Sequence, residues 1–362
     1  MIITYKPKFL ITLAFIAIST ILNTQIVLEA PDEYTHIERL IYSNREDAGL
    51  YYKFIGSTLD IINIDYESIL NIFNQNNAFK VGSNELTCSK CQGNIDYYAL
   101  RTINISIATI ILLFTSLLIK NKNLFFASTI WPSIFYALTG FGSDTFCIPI
   151  TVAATCLMIE RKYSLGLLLG AGATLLDRSG LSLLIFQITY IFIEKTNINI
   201  NNFSLLIPPL ILFLPIDFLL NNFPMQNEIY ELVKNTSEFN YNFEINIINR
   251  SAALFSSLWY YAGNLSQPAL YIEYLIFIAT ILYACFFSKK TEKQLIFSAA
   301  ISISTTLLIV PTLAQGRYYF FVIPIIINFI FKKIEKPINL ILSLSFFDFF
   351  YALLFFIKIN TQ

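Results

Sequence analysis

The sequence predicts an all-α, polytopic membrane protein of about 10–11 transmembrane helices, and three observations carry that expectation. Hydrophobic residues make up 56% of the 362-residue chain and charged residues only 13%, against roughly 25% charged in an ordinary soluble domain. The mean hydropathy is +0.61, and apolar stretches of near-spanning length recur from end to end. Basic residues gather at alternate turns between those stretches, as they do in cytoplasmic loops. One integral membrane domain over 1–362 is expected.

The first element follows Lys6 and Lys8 and runs from Phe9 to about Leu28. Its apolar run continues through Ile21, Ile26, Val27 and Leu28 to Glu29-Ala30-Pro31. A secretory signal has a shorter apolar region and a small-residue cleavage site, so an uncleaved first span is expected. Further spans read at 100–119, 124–140, 145–159, 163–176, 180–193, 203–220, 269–287, 294–313, 318–331 and 338–357. Helices over 163–176 and 180–193 would be roughly 21 Å long at 1.5 Å per residue. The hydrocarbon core is roughly 30 Å thick, so these two read as a broken hairpin.

Topology comes from the turns. Lys6 and Lys8, Lys120 and Lys122, Arg161 and Lys162, Lys195, then Lys289, Lys290 and Lys293, and Lys332, Lys333 and Lys336 alternate along the chain. A cytoplasmic N-terminus puts all of them on the cytoplasmic side of the membrane. The opposite, extracytoplasmic face then receives the long loop 31–98, Gly142-Ser143-Asp144, Asp177-Arg178, the loop 221–268 and Gln315-Gly316-Arg317. In the first loop, 33–44 and 65–79 have helical apolar spacing (Tyr34, Ile37 and Ile41; Tyr66, Ile69, Ile72 and Phe73) and suit the headgroup interface. The second large loop is Asn-rich and carries Tyr230, Tyr241 and Trp259, which suits a sugar or headgroup surface and equally an interfacial aromatic belt.

Lys+Arg and Asp+Glu balance at 24 each, which gives no reason to expect a nucleic-acid partner. The informative charges are local. Pro31-Asp32-Glu33-Tyr34-Thr35-His36 follows the first span and contains the only histidine of the chain. Asp32 is a good N-cap; a carboxylate fixed at a helix end facing water is also a candidate general base. His36 falls about one turn after Asp32 and is either a structural imidazole or a phosphate or metal ligand. Asp144 opens the fourth span, as a cap or as a second acid on the same face. Arg178 sits between two short helices, where it either pairs with Asp177 or offers a lipid phosphate a bidentate fork. Arg317 starts the tenth span, snorkelling to the interface or neutralising a phosphate. Cys88 and Cys91 form C-x-x-C in the first loop, which reads as a loop-stapling disulfide and at best half a zinc site.

These residues together resemble a bacterial multispan membrane family of unassigned function with a P-D-E-x-x-H motif, related to the GT-C glycosyltransferase superfamily. Pro31, Asp32, Glu33 and His36 match that motif, and Trp131-Pro132 through Ser143-Asp144 match its small-residue/Asp turn. Gly166 through Gly180 approximate a Gly-rich segment with a basic position, and Gln315, Gly316, Arg317 and Tyr318 match a Q-G-R-Y stretch. The resemblance covers roughly residues 10–330. It implies a GT-C-like fold with a long first extracytoplasmic loop, and transfer of a sugar from a polyprenyl-phosphate donor to a glycan or lipid acceptor. It implies Asp32 as catalytic base, with Glu33 or Asp144 orienting the acceptor or holding a divalent cation. Arg178 and Arg317 would bind the donor phosphate, joined by His36. The competing expectations are a transporter or flippase of a lipid-linked glycan, and a non-enzymatic envelope-assembly protein. A transporter calls for polar residues at mid-membrane on several helices, where few acids fall (Asp217 and Asp348, with Glu273 near an outer end).

Overall fold

The computed structural model describes residues 36–37, 40, 49–75, 95–131, 134, 142–177, 180–210, 275–276, 279–280, 282–283, 286, 288–309, 319–333, 339–341 and 343. Every regular element among them is helical. In chain order they are α1 (Gly49–Ile62), α2 (Tyr66–Gln75), α3 (Ile95–Leu118), α4 (Lys122–Thr129), α5 (Ser143–Ile159), α6 (Tyr163–Leu176) and α7 (Gly180–Lys195). A 3-10 turn (Ser204–Leu206) leads into α8 (Ile207–Leu210), followed by α9 (Lys290–Ile309) and α10 (Val322–Lys333). Only α3, at 24 residues, is both long and apolar enough to cross a membrane among the described residues.

Helix α5 is the axis of the structure. From Thr145 to Met158 only Ile150 is less than fully buried, and α3, α4, α6, α7 and α10 all pack against it. A helix apolar on all sides has no face to give to water, so it collects neighbours around itself. The main core accordingly joins Phe146's neighbours Cys147 and Ile148, through Val152, Ala153 and Leu157, to Trp131, Phe186, Phe321 and Ile327. Phe186 of α7 stacks on Phe321 at 5.1 Å, just before α10 begins.

The reading of 163–176 and 180–193 as a helical hairpin holds: α6 occupies 163–176 and α7 runs to Lys195. Small residues bring the two close. Gly166, Gly170 and Ala173 form the buried stripe of α6, and Gly166-x-x-x-Gly170 is the spacing that lets helix backbones approach. Gln187 of α7 donates from Nε2 to the Gly166 carbonyl at 2.8 Å and lays its Oε1 where a Gly170 side chain would stand. On its other side Gly166 abuts Met158 of α5. The hairpin turn closes with the Gly180 amide donating to the Asp177 carbonyl at 3.0 Å. A Cβ at Gly180 would overlap the Ala173–Thr174 backbone, so the turn admits no larger residue there.

The helices carry their polar groups inward. In α9, Gln294, Ser298, Ser302 and Thr306 are buried one turn apart, and Ser302 donates to the Ser182 carbonyl of α7 at 2.5 Å. In α7, Ser182 and Gln187 are buried while Leu181, Ile188 and Phe192 are exposed. In α3, Arg101, Asn104, Thr115 and Ser116 are buried while Ile110, Leu113, Phe114 and Leu117 point outward. This is the reverse of an amphipathic helix on a water-soluble core.

One end of the bundle gathers the basic turns. Glu160, at the end of α5, accepts the Lys120 and Asn121 amides at 3.0 and 2.6 Å and pairs with Lys162 at 3.0 Å. Lys162 also donates to the Leu118 carbonyl, closing the end of α3 at 2.9 Å. Arg161, in a left-handed turn (φ 63°), pairs with Glu194 at 3.0 Å. Lys290 donates to Asn197 Oδ1 at 2.6 Å, Lys293 to Asn202 Oδ1 at 2.6 Å, and Lys332 pairs with Glu292 at 3.1 Å. Five of the six turns read as basic from the sequence therefore share one end, interleaved with acids that the count of Lys and Arg overlooked, while Lys6, Lys8 and Lys336 lie outside the described residues.

The first loop differs in detail from its expectation. α2 falls within the predicted 65–79, and His36, Ile37 and Leu40 are helical within 33–44. The apolar faces of both are spent on protein: Ile37, Leu40, Ile69 and Leu70 are buried with Tyr97 and Leu100 of α3 in a second cluster. α1 was not anticipated, although Tyr51, Ile55 and Leu59 recur at helical spacing and are its buried face. α3 starts at Ile95, five residues before the predicted span. The second large loop, Cys88, Cys91, Asp217, Glu273 and Asp348 lie outside the described residues.

Two expectations test this packing. Gly170→Ala destabilises the protein by about 1–3 kcal/mol through overpacking against Gln187, and Gln187→Ala in that background recovers part of the loss. At Gly172 a Cβ meets nothing within 4 Å, so Gly172→Ala is neutral or stabilising by up to about 1 kcal/mol; thermal unfolding of the purified protein separates the three. The second concerns Glu160. Partial burial pushes its carboxyl up, but the Asn121 and Lys120 amides and Lys162 together hold it below the ordinary value of 4.5. A depressed folded-state pKa contributes stability that is complete above the unfolded value and is lost as pH falls through the folded one. Glu160→Gln therefore flattens the acid limb of stability against pH below about 4.5 and leaves its slope near neutrality unchanged.

Candidate functional site

The end of the bundle opposite the basic turns is built from three segments far apart in the chain. The first contains His36. The second is Gly142-Ser143, where α5 starts. The third is Asp177, between α6 and α7. Helices α1 and α3 buttress them.

His36 is 8% exposed. Its Nδ1 lies 2.5 Å from the Tyr52 hydroxyl, and its ring stacks on that of Tyr52 with centroids 5.8 Å apart. The face of the imidazole abuts Gly142: a Cβ there would stand 2.6 Å from Nε2, 2.8 Å from Cδ2 and 3.1 Å from Cε1. Tyr51, beside Tyr52 on α1, donates to Asn104 Oδ1 of α3 at 3.0 Å and meets Phe146 of α5 edge-on at 5.1 Å. Consecutive tyrosines on one helix thus serve two partners, Tyr52 holding the histidine and Tyr51 tying α1 to α3 and α5.

Ser143 is the first residue of α5, and its hydroxyl donates to Asp177 Oδ2 at 2.5 Å. Asp177 stands at the end of α6 in an extended conformation (φ −150°), which turns its carboxylate from the α6–α7 hairpin towards the start of α5. One turn before Asn104, Arg101 is completely buried, with its guanidinium 5.6 Å from the centre of the Tyr97 ring. A guanidinium stays charged at any physiological pH, so α3 buries a positive charge at this end of the bundle.

The residues singled out from sequence divide as follows. His36 is at this end and is buried. The backbone of Asp144 lies in the first turn of α5, two residues after Gly142. Asp32, Glu33, Arg178 and Arg317 lie outside the described residues. Beyond Arg317, Tyr319, Phe320 and Phe321 are buried in the main core, and α10 continues from there to Lys332 and Lys333 at the basic end. Among the described residues no three His, Cys, Asp or Glu side chains converge where a cation would sit.

Tyr51, Tyr52, Arg101 and Asn104 were missed. The two tyrosines carried a signal in the helical spacing of α1. Arg101 and Asn104 lie three residues apart inside an apolar helix, where a charge costs about 2.5–3.5 kcal/mol on the insertion scale; beginning the span at 100 made Arg101 look like a boundary residue. No protein-family model, no curated protein and no solved structure matches this chain.

Tyr51→Phe removes one buried hydrogen bond and lowers the unfolding free energy by roughly 1 kcal/mol. Ser106→Ala, on the exposed face of α3, stays within about 0.5 kcal/mol. Parallel thermal melts distinguish them, and equal melting points would exclude the Tyr51–Asn104 tie.

Proposed function

We propose that this chain is a polytopic membrane glycosyltransferase of the GT-C type, which transfers a sugar from a polyprenyl-phosphate donor to a glycan or lipid acceptor. One observation carries the reading. Three of the four segments behind the family resemblance, 106 residues apart at one contact and 34 at the other, meet where His36 abuts Gly142 and Ser143 bonds Asp177. A catalytic constellation needs groups from distant parts of the chain brought within reach of one substrate. Helix ends that met for packing alone would have no need of these particular motifs.

The inward polar stripes and outward Leu, Ile and Phe support a lipid environment, where polar and small residues join helices and apolar ones face acyl chains. The single-ended basic turns support a cytoplasmic location for that end, and so an extracytoplasmic one for the site. In the reaction, the acceptor oxygen attacks the anomeric carbon as the carbon–phosphate-oxygen bond breaks. The lipid phosphate leaves with the bonding pair, inverting the centre. Asp32 takes the acceptor proton; Glu33 or Asp144 orients the acceptor; Arg178 and Arg317 neutralise the leaving phosphate. A divalent cation, if used, would share that last task between the second acid and the phosphate.

The test uses purified protein in nanodiscs, offered polyprenyl-phosphate sugars and envelope lipid extract and read by mass spectrometry. Wild type transfers sugar, and Asp32→Asn loses at least about 100-fold while still binding donor. An unconsumed donor together with passage of a labelled lipid-linked glycan across the bilayer would establish the transporter instead. Full activity in Asp32→Asn would remove Asp32 as the base.

A further inference from the structure

The basic end of the bundle carries a feature that sugar transfer does not use. After α7 the chain turns through 196–202, beside the start of α9, before entering the 3-10 segment. Neutral partners fix two lysines of α9 there. Lys290 donates to the Asn197 carbonyl at 3.2 Å and to its Oδ1 at 2.6 Å, and Lys293 donates to Asn202 Oδ1 at 2.6 Å. An ammonium has three N–H donors and no acceptor, so Lys290 keeps one to offer and Lys293 two. The carboxylates nearest in sequence are engaged by other bases, Glu194 by Arg161 and Glu292 by Lys332. Lys195 and Lys289, both exposed, flank the same turn.

Next to the lysines the turn presents an apolar stripe. Its inward side is occupied, with Ile200 and Leu205 buried beside Ile193 against Ile296 and Phe297. Ser204 is fastened to Asn201 Oδ1 through both its amide and its hydroxyl. Phe203 follows the asparagine that holds Lys293 and is 79% exposed; Ile207 and Leu210 are exposed as well. The backbone is helical from Phe203 onward, so positions 203, 207 and 210 share one side. The stripe starts at the lysines and follows α8 along α9.

We propose that this turn binds an anionic diacyl phospholipid of the leaflet at the basic end, with the phosphate on Lys290 and Lys293 and an acyl chain along Phe203, Ile207 and Leu210. A soluble polyanion would answer the lysines and leave the stripe in water. A neutral lipid would cover the stripe and leave the charge unanswered. A phospholipid of net negative charge meets both, as in the basic pockets between membrane helices that take such headgroups. The asparagines are part of the argument: a carboxylate in their place would hold the lysines equally well and cancel their charge. The site rests on the polytopic membrane reading and not on sugar transfer.

Native mass spectrometry of the full chain, released from nanodiscs of equal phosphatidylglycerol and phosphatidylcholine, tests the site. Wild type retains phosphatidylglycerol in preference. Lys290→Gln combined with Lys293→Gln weakens that retention about 30-fold, the scale of two lysines at an anionic surface. Asn202→Asp keeps an oxygen for Lys293, so the turn stays fastened, and still weakens retention about fivefold. Phe203→Ser, which alters no charge, weakens it too. Lys53→Gln, on the exposed side of α1 at the opposite end, leaves retention at the wild-type level. Retention in Asn202→Asp equal to wild type, or a loss in Lys53→Gln as large as in the lysine pair, would overturn the site in favour of diffuse attraction. Displacement of the lipid by inorganic phosphate would overturn it in favour of a free-anion site. Displacement by polyglutamate, with Phe203→Ser silent, would overturn it in favour of an acidic protein partner. Protein that stays in membranes through an alkaline carbonate wash yet shows no lipid preference loses this site alone; protein that the wash releases loses the membrane reading with it.

Discussion

The junction at Glu160 is what the rest of the structure depends on. It sits at the end of a helix that is buried on all sides, takes two backbone amides from the turn after α3, and pairs with the lysine that closes α3. A carboxylate accepting amides and an ammonium in a partly buried position is worth more than an exposed ion pair. Its effect here is directional. It sets α3 parallel to α5, and α6 then leaves from the same end through Arg161 and Lys162. With that end fixed, the starts of α3 and α5 and the turn after α6 must come together at the other.

The bundle is joined by polar contacts on the inside. Ser302 to Ser182, Gln187 to Gly166 and Gln294 to Ile198 cross between elements, and each is small in energy (averages for such contacts are about 0.6 kcal/mol). Each also satisfies a group that would otherwise be buried at a cost, which is why these positions take Ser, Gln and Gly and leave Leu and Phe outside. The alternation of basic and acidic partners at one end has the same logic. Lysines there answer a helix C-terminus, asparagines and the acids of the neighbouring turn.

At the opposite end the first loop is a second small core and not a lid lying on a surface. Ile37, Leu40, Ile55, Ile69 and Leu70 pack with Tyr97 and Leu100, and the tyrosines of α1 turn their hydroxyls towards His36 and Asn104. His36 is thereby held against α1 by the phenols of Tyr52 and Tyr51.

The sequence by itself located the helices at 145–159, 163–176 and 180–193, because apolar period and charged turns are local signals. The segment 163–176 was read to the residue, 145–159 within two residues at its start, and the basic turns among the described residues do share one end. Where a helix was overlooked, at 49–62, its signal was present as Tyr51, Ile55 and Leu59 but was masked by polar neighbours. Only the tertiary structure decided that His36 faces Gly142, that Ser143 bonds Asp177, and that Asn104 is tied to Tyr51 while Arg101 is buried. These are contacts between residues 34 to 106 positions apart, set by close packing, and no periodicity along a chain encodes which glycine makes room for which ring.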